Sequence, residues 1–274
     1  MGFIFRKCAD EDFPELKKLW LKAFDDSPEA VDLFFERNKS SFAPYCAAEK
    51  EKIVSALFLL PCSLNGKQAH YMCGVATAPE YRRRGIMSGL IDFSLDQARK
   101  NGDLYSLLFP ANQNESLYNF YGRLGYRANC SAGITEMTRS KLLSLAKSES
   151  GKPDYENLQI LCFDNNFLFW NNNLVDFAAE YYRLYNIKFV SNQTAFALVE
   201  EAGGIADVFY SAYSDFGSLG GLLLENTKAE RFSFTLKSDD PLLNGAEPQR
   251  YGMIKALDKS AKTPNNIFIG ITLN

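Results

Sequence analysis

The chain has 274 residues, of which 46% are hydrophobic and 23% charged, and its formal net charge is −3. This is the composition of a globular protein with ample chain for a core, as one large domain or two smaller ones. The weak acidity speaks against a general nucleic-acid binder, and no apolar run is long enough to span a bilayer, so neither a nucleic acid nor a membrane is expected as partner. The six cysteines form no Cys-x-x-Cys pair and the chain has one histidine, so no metal pattern is present. Scattered through apolar surroundings, they read as reduced thiols of a cytoplasmic protein. The start, Met1-Gly2-Phe3-Ile4-Phe5-Arg6-Lys7, is charged too soon for a signal peptide.

Residues 3–8 read as a strand. The acidic run Asp10 to Asp12 suits a helix start, and Phe13, Leu16, Leu19, Trp20, Ala23 and Phe24 follow at helical spacing. Ser27-Pro28-Glu29 opens a second helix, with proline at its favoured first position and Val31, Leu33, Phe34 and Phe35 as its apolar residues. Residues 45–48, 53–61 and 68–77 read as antiparallel strands, with Asn65-Gly66 as a hairpin turn. Ala78-Pro79-Glu80 ends the last of them, because proline cannot donate to a ladder. From Gly85 the residues Ile86, Leu90, Ile91 and Leu95 recur at helical spacing up to Asn101-Gly102.

This strand, turn and helix carry Arg82, Arg83, Arg84 and Gly85 at the turn. A helix N-terminus offers unpaired N–H groups and a partial positive charge, both suited to a phosphate, and glycine allows close backbone approach. A solvated basic turn capping an ordinary helix has the same local signature. Residues 104–109 read as a strand buried on both faces, 114–126 as a helix, and 126–138 as a returning strand.

The run Arg82-Arg83-Arg84-Gly85-Ile86-Met87-Ser88-Gly89 resembles the acyl-CoA loop of the GNAT superfamily of N-acetyltransferases, written Arg/Gln-x-x-Gly-x-Gly/Ala. Arg82 and Gly85 fit it, while Met87 stands where a small residue is usual, with Gly89 two places on. The triple arginine is similar to the enhanced-intracellular-survival branch of that superfamily. Asn114 to Tyr126 resembles the family's Asn-x6-Tyr-x3-Gly-Phe/Tyr segment through Asn114, Tyr121, Gly125 and Tyr126. Two motifs in this order are far more specific than either alone.

The resemblance implies an α/β (α+β) GNAT fold, with a mixed, mostly antiparallel central sheet flanked by helices. It assigns residues 1–140 to an acetyltransferase domain and 141–156, which include Ser148-Glu149-Ser150-Gly151-Lys152-Pro153, to a linker. Residues 157–274 then form a second, degenerate GNAT-like domain. Their helices near 173–184 and 215–226, strands near 187–190, 194–200, 206–213 and 230–236, and turn at Gly203-Gly204 repeat the order of the first half. Gly217-Ser218-Leu219-Gly220-Gly221 has no flanking arginine, so close helix packing is its expected role. Residues 267–273 read as a final strand.

The implied function is N-acetyl transfer from the cosubstrate acetyl-CoA to a primary amine, by direct attack in a ternary complex. In that reading the amides of Arg84, Gly85, Ile86, Met87 and Ser88 wrap the diphosphate, and Arg82 and Arg84 add charge. Val75 and Thr77 pair with the pantetheine arm, the Val75 amide polarises the thioester carbonyl, Asn114 bonds the arm, and Tyr121 protonates the leaving thiolate. The base is left open. Counting back from Thr77 places Val75, Cys73 and Tyr71 on one strand face, so Tyr71 takes the place of the glutamate that several relatives use, and His70 faces away unless a bulge re-aims it. The candidates are His70, the C-terminal carboxylate of Asn274, and water. The acceptor, a small-molecule or peptide amine, and the oligomeric state, homo-oligomers included, are also open. The alternative is a non-catalytic acyl-CoA-binding or regulatory module; Tyr121 favours the enzyme.

Overall fold

The computed structural model describes residues 2–163, 165–258 and 261–273. Contacts divide the chain into two compact units, one of residues up to Arg127 with Met253–Thr263, the other of Ala128–Gly252 with Pro264–Leu273.

In the first unit, β1 (Ile4–Lys7), β2 (Ala43–Glu49), β3 (Lys52–Leu64) and β4 (Lys67–Thr77) pair antiparallel in that order. The β3–β4 hairpin turns at Asn65 and Gly66, whose φ of 51° and 69° are the left-handed pair that a two-residue hairpin loop needs. Helices α1 (Phe13–Ala23) and α2 (Pro28–Asn38) follow β1. Ser27 Oγ accepts from the Ala30 amide and caps α2. Their apolar sides carry Trp20, Phe34 and Phe35, which meet Phe42 and Phe58 ring to ring. Val31, Phe34 and Phe35 are buried core. Helix α3 (Ile86–Lys100) turns Leu90, Ile91, Leu95 and Ala98 onto the sheet against Leu57, Leu59 and Met72. Each buried Leu or Ile contributes about 1.5–3 kcal/mol, so this stripe fixes where the helix begins. After α3, β5 (Tyr105–Leu108) lies parallel to β4, and helix α4 (Glu115–Arg123) follows.

The sheet is not closed by the strand expected from residues 126–138. That segment forms β6 (Ser131–Thr138), which pairs in the second unit with Arg231–Lys237. The place beside β5 is taken by Met253–Ala256, antiparallel to it from Met253↔Leu108 to Ala256↔Tyr105. The choice of partner is made by tertiary packing rather than by local pattern.

The second unit continues with α5 (Arg139–Leu143), α6 (Tyr155–Cys162), a two-residue strand β7 (Leu168–Phe169), α7 (Asn172–Arg183), β8 (Lys188–Ser191), β9 (Ala195–Ala202), β10 (Ile205–Tyr213), α8 (Phe216–Asn226), β11 (Arg231–Lys237) and β12 (Gln249–Arg250). Its sheet runs β12-β6-β11-β10-β9-β8. The expected linker is thus partly ordered inside this unit: Thr138 caps α5, and fully buried Leu142 joins the core of Leu219, Leu222, Phe232 and Phe234. The order β10, α8, parallel β11 repeats β4, α3, parallel β5. The glycines of 217–221 lie inside α8 and let it pack closely: a Cβ on Gly217 would stand 2.5 Å from the Leu145 carbonyl oxygen. Residues 267–273 are not the expected strand. Ile267, Phe268, Ile269 and Ile271 are buried, but only isolated bridges form at Ile267 and Phe268, and Gly270 (φ 72°) and Leu273 (φ 49°) break the extended path.

Candidate active site

The parallel ladder between β4 and β5 covers only Ala69–Tyr71 against Tyr105–Leu107, while β4 runs on to Thr77. Between the pairs Ala56↔Ala76 and Phe58↔Cys73, Gly74 and Val75 stand opposite Leu57 alone. This is a β-bulge opened by Gly74 at φ 58°. The extra residue shifts the strand's alternation by one. The face of Val75 therefore continues through Met72, which packs with Val75, Tyr121 and Tyr126, and not through Cys73 and Tyr71. The face inferred from the uninterrupted period holds only as far as the bulge.

Beyond Thr77 the turn delivers α3. Its N-cap is Gly85, left-handed at φ 74°, with no side-chain cap and no acidic residue in the first turn. Helices α2, α4, α5, α6, α7 and α8 all start with a Ser, Thr, Asn or Asp cap that accepts from their own amides. A Cβ on Gly85 would meet nothing within 4 Å, so the space in front of it is open. Gly89 has another role: its Cβ would stand 2.7 Å from Phe5 Cζ, which identifies it as a close-packing position.

A cavity of about 780 Å³ runs along this helix start. Of the residues singled out in the sequence, Val75, Thr77, Arg82, Gly85, Ile86, Met87, Ser88 and Tyr121 line it together. Arg84 and Asn114 do not. The Arg84 guanidinium lies 5.3 Å above the Tyr81 ring and 6.0 Å from that of Phe3. Asn114 Oδ1 caps α4, accepting from the Ser116 amide at 2.8 Å and the Ser116 hydroxyl at 2.7 Å. Arg82 Nε donates to the Thr77 carbonyl at 3.0 Å, which ties the arginine turn to the end of β4.

Phe24 of the first helix also lines the cavity, while sequence reasoning missed Arg83, Leu117, Phe120 and Arg123 in its wall. Leu117, Phe120 and Tyr121 occupy one face of α4 at i, i+3 and i+4, a signal present in the sequence. Arg83 is placed by a left-handed backbone, φ 63°, which no local pattern announces. Arg82, Arg83 and Arg123 make this wall cationic, and among the described residues no carboxylate or imidazole lines it.

Tyr121 is buried, and that burial pushes its phenol pKa well above the usual tyrosine range, so it is neutral and able to donate throughout the neutral range. His70 lies elsewhere, 2% exposed, with Nδ1 2.6 Å from Asp103 Oδ2 and Nε2 2.8 Å from Ser106 Oγ. Asn274 lies outside the described residues. Among the described residues no cluster of His, Cys, Asp and Glu could hold a metal ion, and no helix is long and apolar enough to cross a membrane.

Residues 5–128 match the family model described as an acetyltransferase (GNAT) domain. This part of the chain is a GNAT acetyltransferase domain. No curated protein matches the chain. Among solved structures, a probable N-acyltransferase from Enterococcus faecalis is 17% identical, with a TM-score of 0.72 over 94% of this chain and 73% of that one. A GCN5-related N-acetyltransferase from Kribbella flavida is also 17% identical, with a TM-score of 0.70 over 93% and 71%. Eis1 from Mycobacterium abscessus is 12% identical, with a TM-score of 0.62 over 94% and 74%. At these identities the likeness is one of fold, and it extends across both units. The chain thus has two GNAT-like halves, and the first carries the acyltransferase family's signature.

Proposed function

We propose that the GNAT domain moves an acetyl group from acetyl-CoA to a primary amine by direct attack within a ternary complex. The observation that carries this reading is that the uncapped start of α3 and the Tyr121 side chain line one cavity. Acetyl-CoA, the cosubstrate general to the family, supplies the activated thioester. The amides of Gly85, Ile86, Met87 and Ser88 hold its diphosphate, helped by the charges of Arg82 and Arg83. Arg84 contributes its backbone and a more distant charge. Val75 and Thr77 lie on the part of β4 beyond the β4–β5 ladder, where an extended pantetheine arm can pair as a strand does. The bulge re-aims the Val75 amide, the candidate donor to the carbonyl oxygen. Asn114 enters as the cap that starts α4, and Tyr121 on that helix gives its proton to the sulfur as the C–S bond breaks.

The amine nitrogen forms the new C–N bond and must shed a proton. Among the described residues no carboxylate or imidazole stands in the cavity wall, so in this reading the amine enters as its free base and its proton goes to water or to the Asn274 carboxylate. The second half offers no equivalent phosphate site. Where α3 opens with Gly85, α8 opens with Asp215, whose carboxylate caps the Ser218 amide and pairs with Lys147 at 2.9 Å. One acetyl-CoA per chain is expected.

A thiol-release assay with acetyl-CoA and a panel of aminoglycosides, polyamines, amino acids and lysine peptides tests the reading. Amine-dependent release supports it. Acetyl-CoA binding with no release for any amine favours the acyl-CoA-binding module instead.

A further inference from the structure

We propose that Asp103, His70, Ser106 and Tyr126 form a buried positioning relay that holds Tyr121, and that none of the four touches substrate. The inference rests on the reading of Tyr121 as proton donor. The four side chains form a continuous chain of short contacts. Asp103 Oδ2 is 2.6 Å from His70 Nδ1, His70 Nε2 is 2.8 Å from Ser106 Oγ, and Ser106 Oγ is 2.6 Å from the Tyr126 hydroxyl. One assignment gives every proton an acceptor: Tyr126 donates to Ser106, Ser106 to His70 Nε2, and His70 Nδ1–H to Asp103. Asp103 Oδ1 accepts from Gln68 Nε2 at 2.7 Å. All four residues are buried and none lines the cavity.

The relay reaches Tyr121 in two ways. Tyr126 follows Gly125, left-handed at φ 86°, and its amide donates to the Tyr121 carbonyl at 3.1 Å, while the Gly125 amide donates to Gly122 at 3.0 Å. This pair of bonds is the closing turn of α4. The two rings also meet edge to face, with centroids 5.8 Å apart. Pinning the Tyr126 hydroxyl therefore fixes both the end of the helix that carries Tyr121 and the surface its ring leans on.

The other end sits at the root of the site. His70 and Ser106 are register partners in the three-residue ladder between β4 and β5, one step before the ladder stops. Their side-chain bond clamps the strands just below the point where β4 goes on alone towards Val75. An apolar core of the same shape would hold the strands without desolvating a carboxylate, an imidazole and two hydroxyls. What the polar chain adds is direction, because each member fixes the rotamer of the next.

The test is a double-mutant cycle with Tyr126→Phe, which keeps the ring and removes the hydroxyl. The probes are acetyl-CoA and the amine that gives the fastest thiol release. We expect kcat to fall tenfold or more and acetyl-CoA affinity to stay within twofold, and Tyr126→Phe added to Tyr121→Phe to cause no further loss. Ser106→Ala breaks the same bond from the other side and should repeat the pattern. A kcat within twofold of wild type, or an equal loss in both backgrounds, overturns the relay. If Tyr121→Phe alone keeps full turnover, the reading of Tyr121 fails and the relay has nothing to position. Should no amine be acetylated, a fluorine probe still decides the positioning. With 3-fluorotyrosine at 121, the wild type should give one narrow resonance and Tyr126→Phe a broadened or divided one, while identical spectra refute the inference.

Discussion

A Cβ placed on Gly74 would stand 2.5 Å from Cζ3 of Trp20. The indole, held from its other edge by a 2.6 Å bond from Nε1 to Asp26 Oδ2, occupies the space that a side chain at residue 74 would need. Phe58 Cδ2 closes the same space at 2.6 Å. Gly74 is thus required twice, by its positive φ and by the ring above it. At the bulge that re-aims Val75, Trp20 of α1 leaves room for a glycine and no larger residue at position 74.

Gly74→Ala should therefore destabilise the fold by about 2–4 kcal/mol, adding left-handed strain to overpacking. Thermal unfolding measures it. A melting temperature unchanged within error would mean that the bulge relaxes without cost, and the argument for an enforced Val75 geometry would fall.

Tyr121→Phe removes one hydroxyl from the cavity wall. Turnover should drop by roughly 10²–10⁴-fold with acetyl-CoA affinity nearly unchanged, since the bond acts only as the thiolate departs. The pH profile carries a second expectation. Burial raises the phenol pKa, and the acid works only while protonated, so the alkaline fall in kcat should lie above the normal tyrosine range. On the acid side, the described residues place no carboxylate or imidazole in the cavity wall to act as a base. The rising limb should follow the pKa of the amine itself, and shift when a weaker amine replaces a stronger one. A limb that stays put for both would reveal an enzyme base.

Gly85→Val tests the phosphate cradle. Nothing stands within 4 Å of the new Cβ, so packing is not disturbed, and the left-handed φ costs about 1–2 kcal/mol. Calorimetric affinity for acetyl-CoA should weaken tenfold or more, with one site per chain in the wild type. Equal affinity in both proteins would remove the helix start from the binding site.

Much of this arrangement is legible in the residues, and the gaps have physical causes. The arginine turn and Gly85 could be read because strand, break and helix succeed one another within a few residues. Tyr121 could be read because its helix and following glycine are local. The β-bulge could not, since it shows only in the pairing of β4 with β3 and in the packing of Trp20 on Gly74, both set by residues distant in sequence. The place of Arg83 could not be read either, because its left-handed φ leaves no mark on neighbouring residues. Helix α6 did leave a signal: Asp154 caps it and Tyr155, Leu158 and Cys162 follow at helical spacing. The polar run before it masked that start. The partner of β6 was beyond reach because strand pairing is set by tertiary packing and not by the local pattern of either strand.

In the second unit, Gln159 is buried and engaged throughout. Its Nε2 donates to the Trp170 carbonyl at 2.7 Å, and its Oε1 accepts from the Trp170 amide at 3.0 Å and the Tyr210 hydroxyl at 3.1 Å. Gln159→Leu removes these three hydrogen bonds, each contributing about 0.5–1.5 kcal/mol. We expect a clear loss of stability with acetyl-CoA affinity retained in the folded fraction. An affinity that falls with stability would place the second unit in the binding equilibrium.

The strand Met253–Ala256 also bears on how the protein is made. The first sheet begins with Ile4 and is finished only by Met253–Ala256, translated after most of the second unit. While the ribosome builds residues 128–252 of the second unit, β5 waits with an open edge holding Tyr105, Ser106, Leu107 and Leu108. Unpaired strand edges recruit other chains. The nascent protein therefore depends on its own late segment arriving before a neighbour's does, and slow elongation or crowding of polysomes would favour tangled products over a completed enzyme.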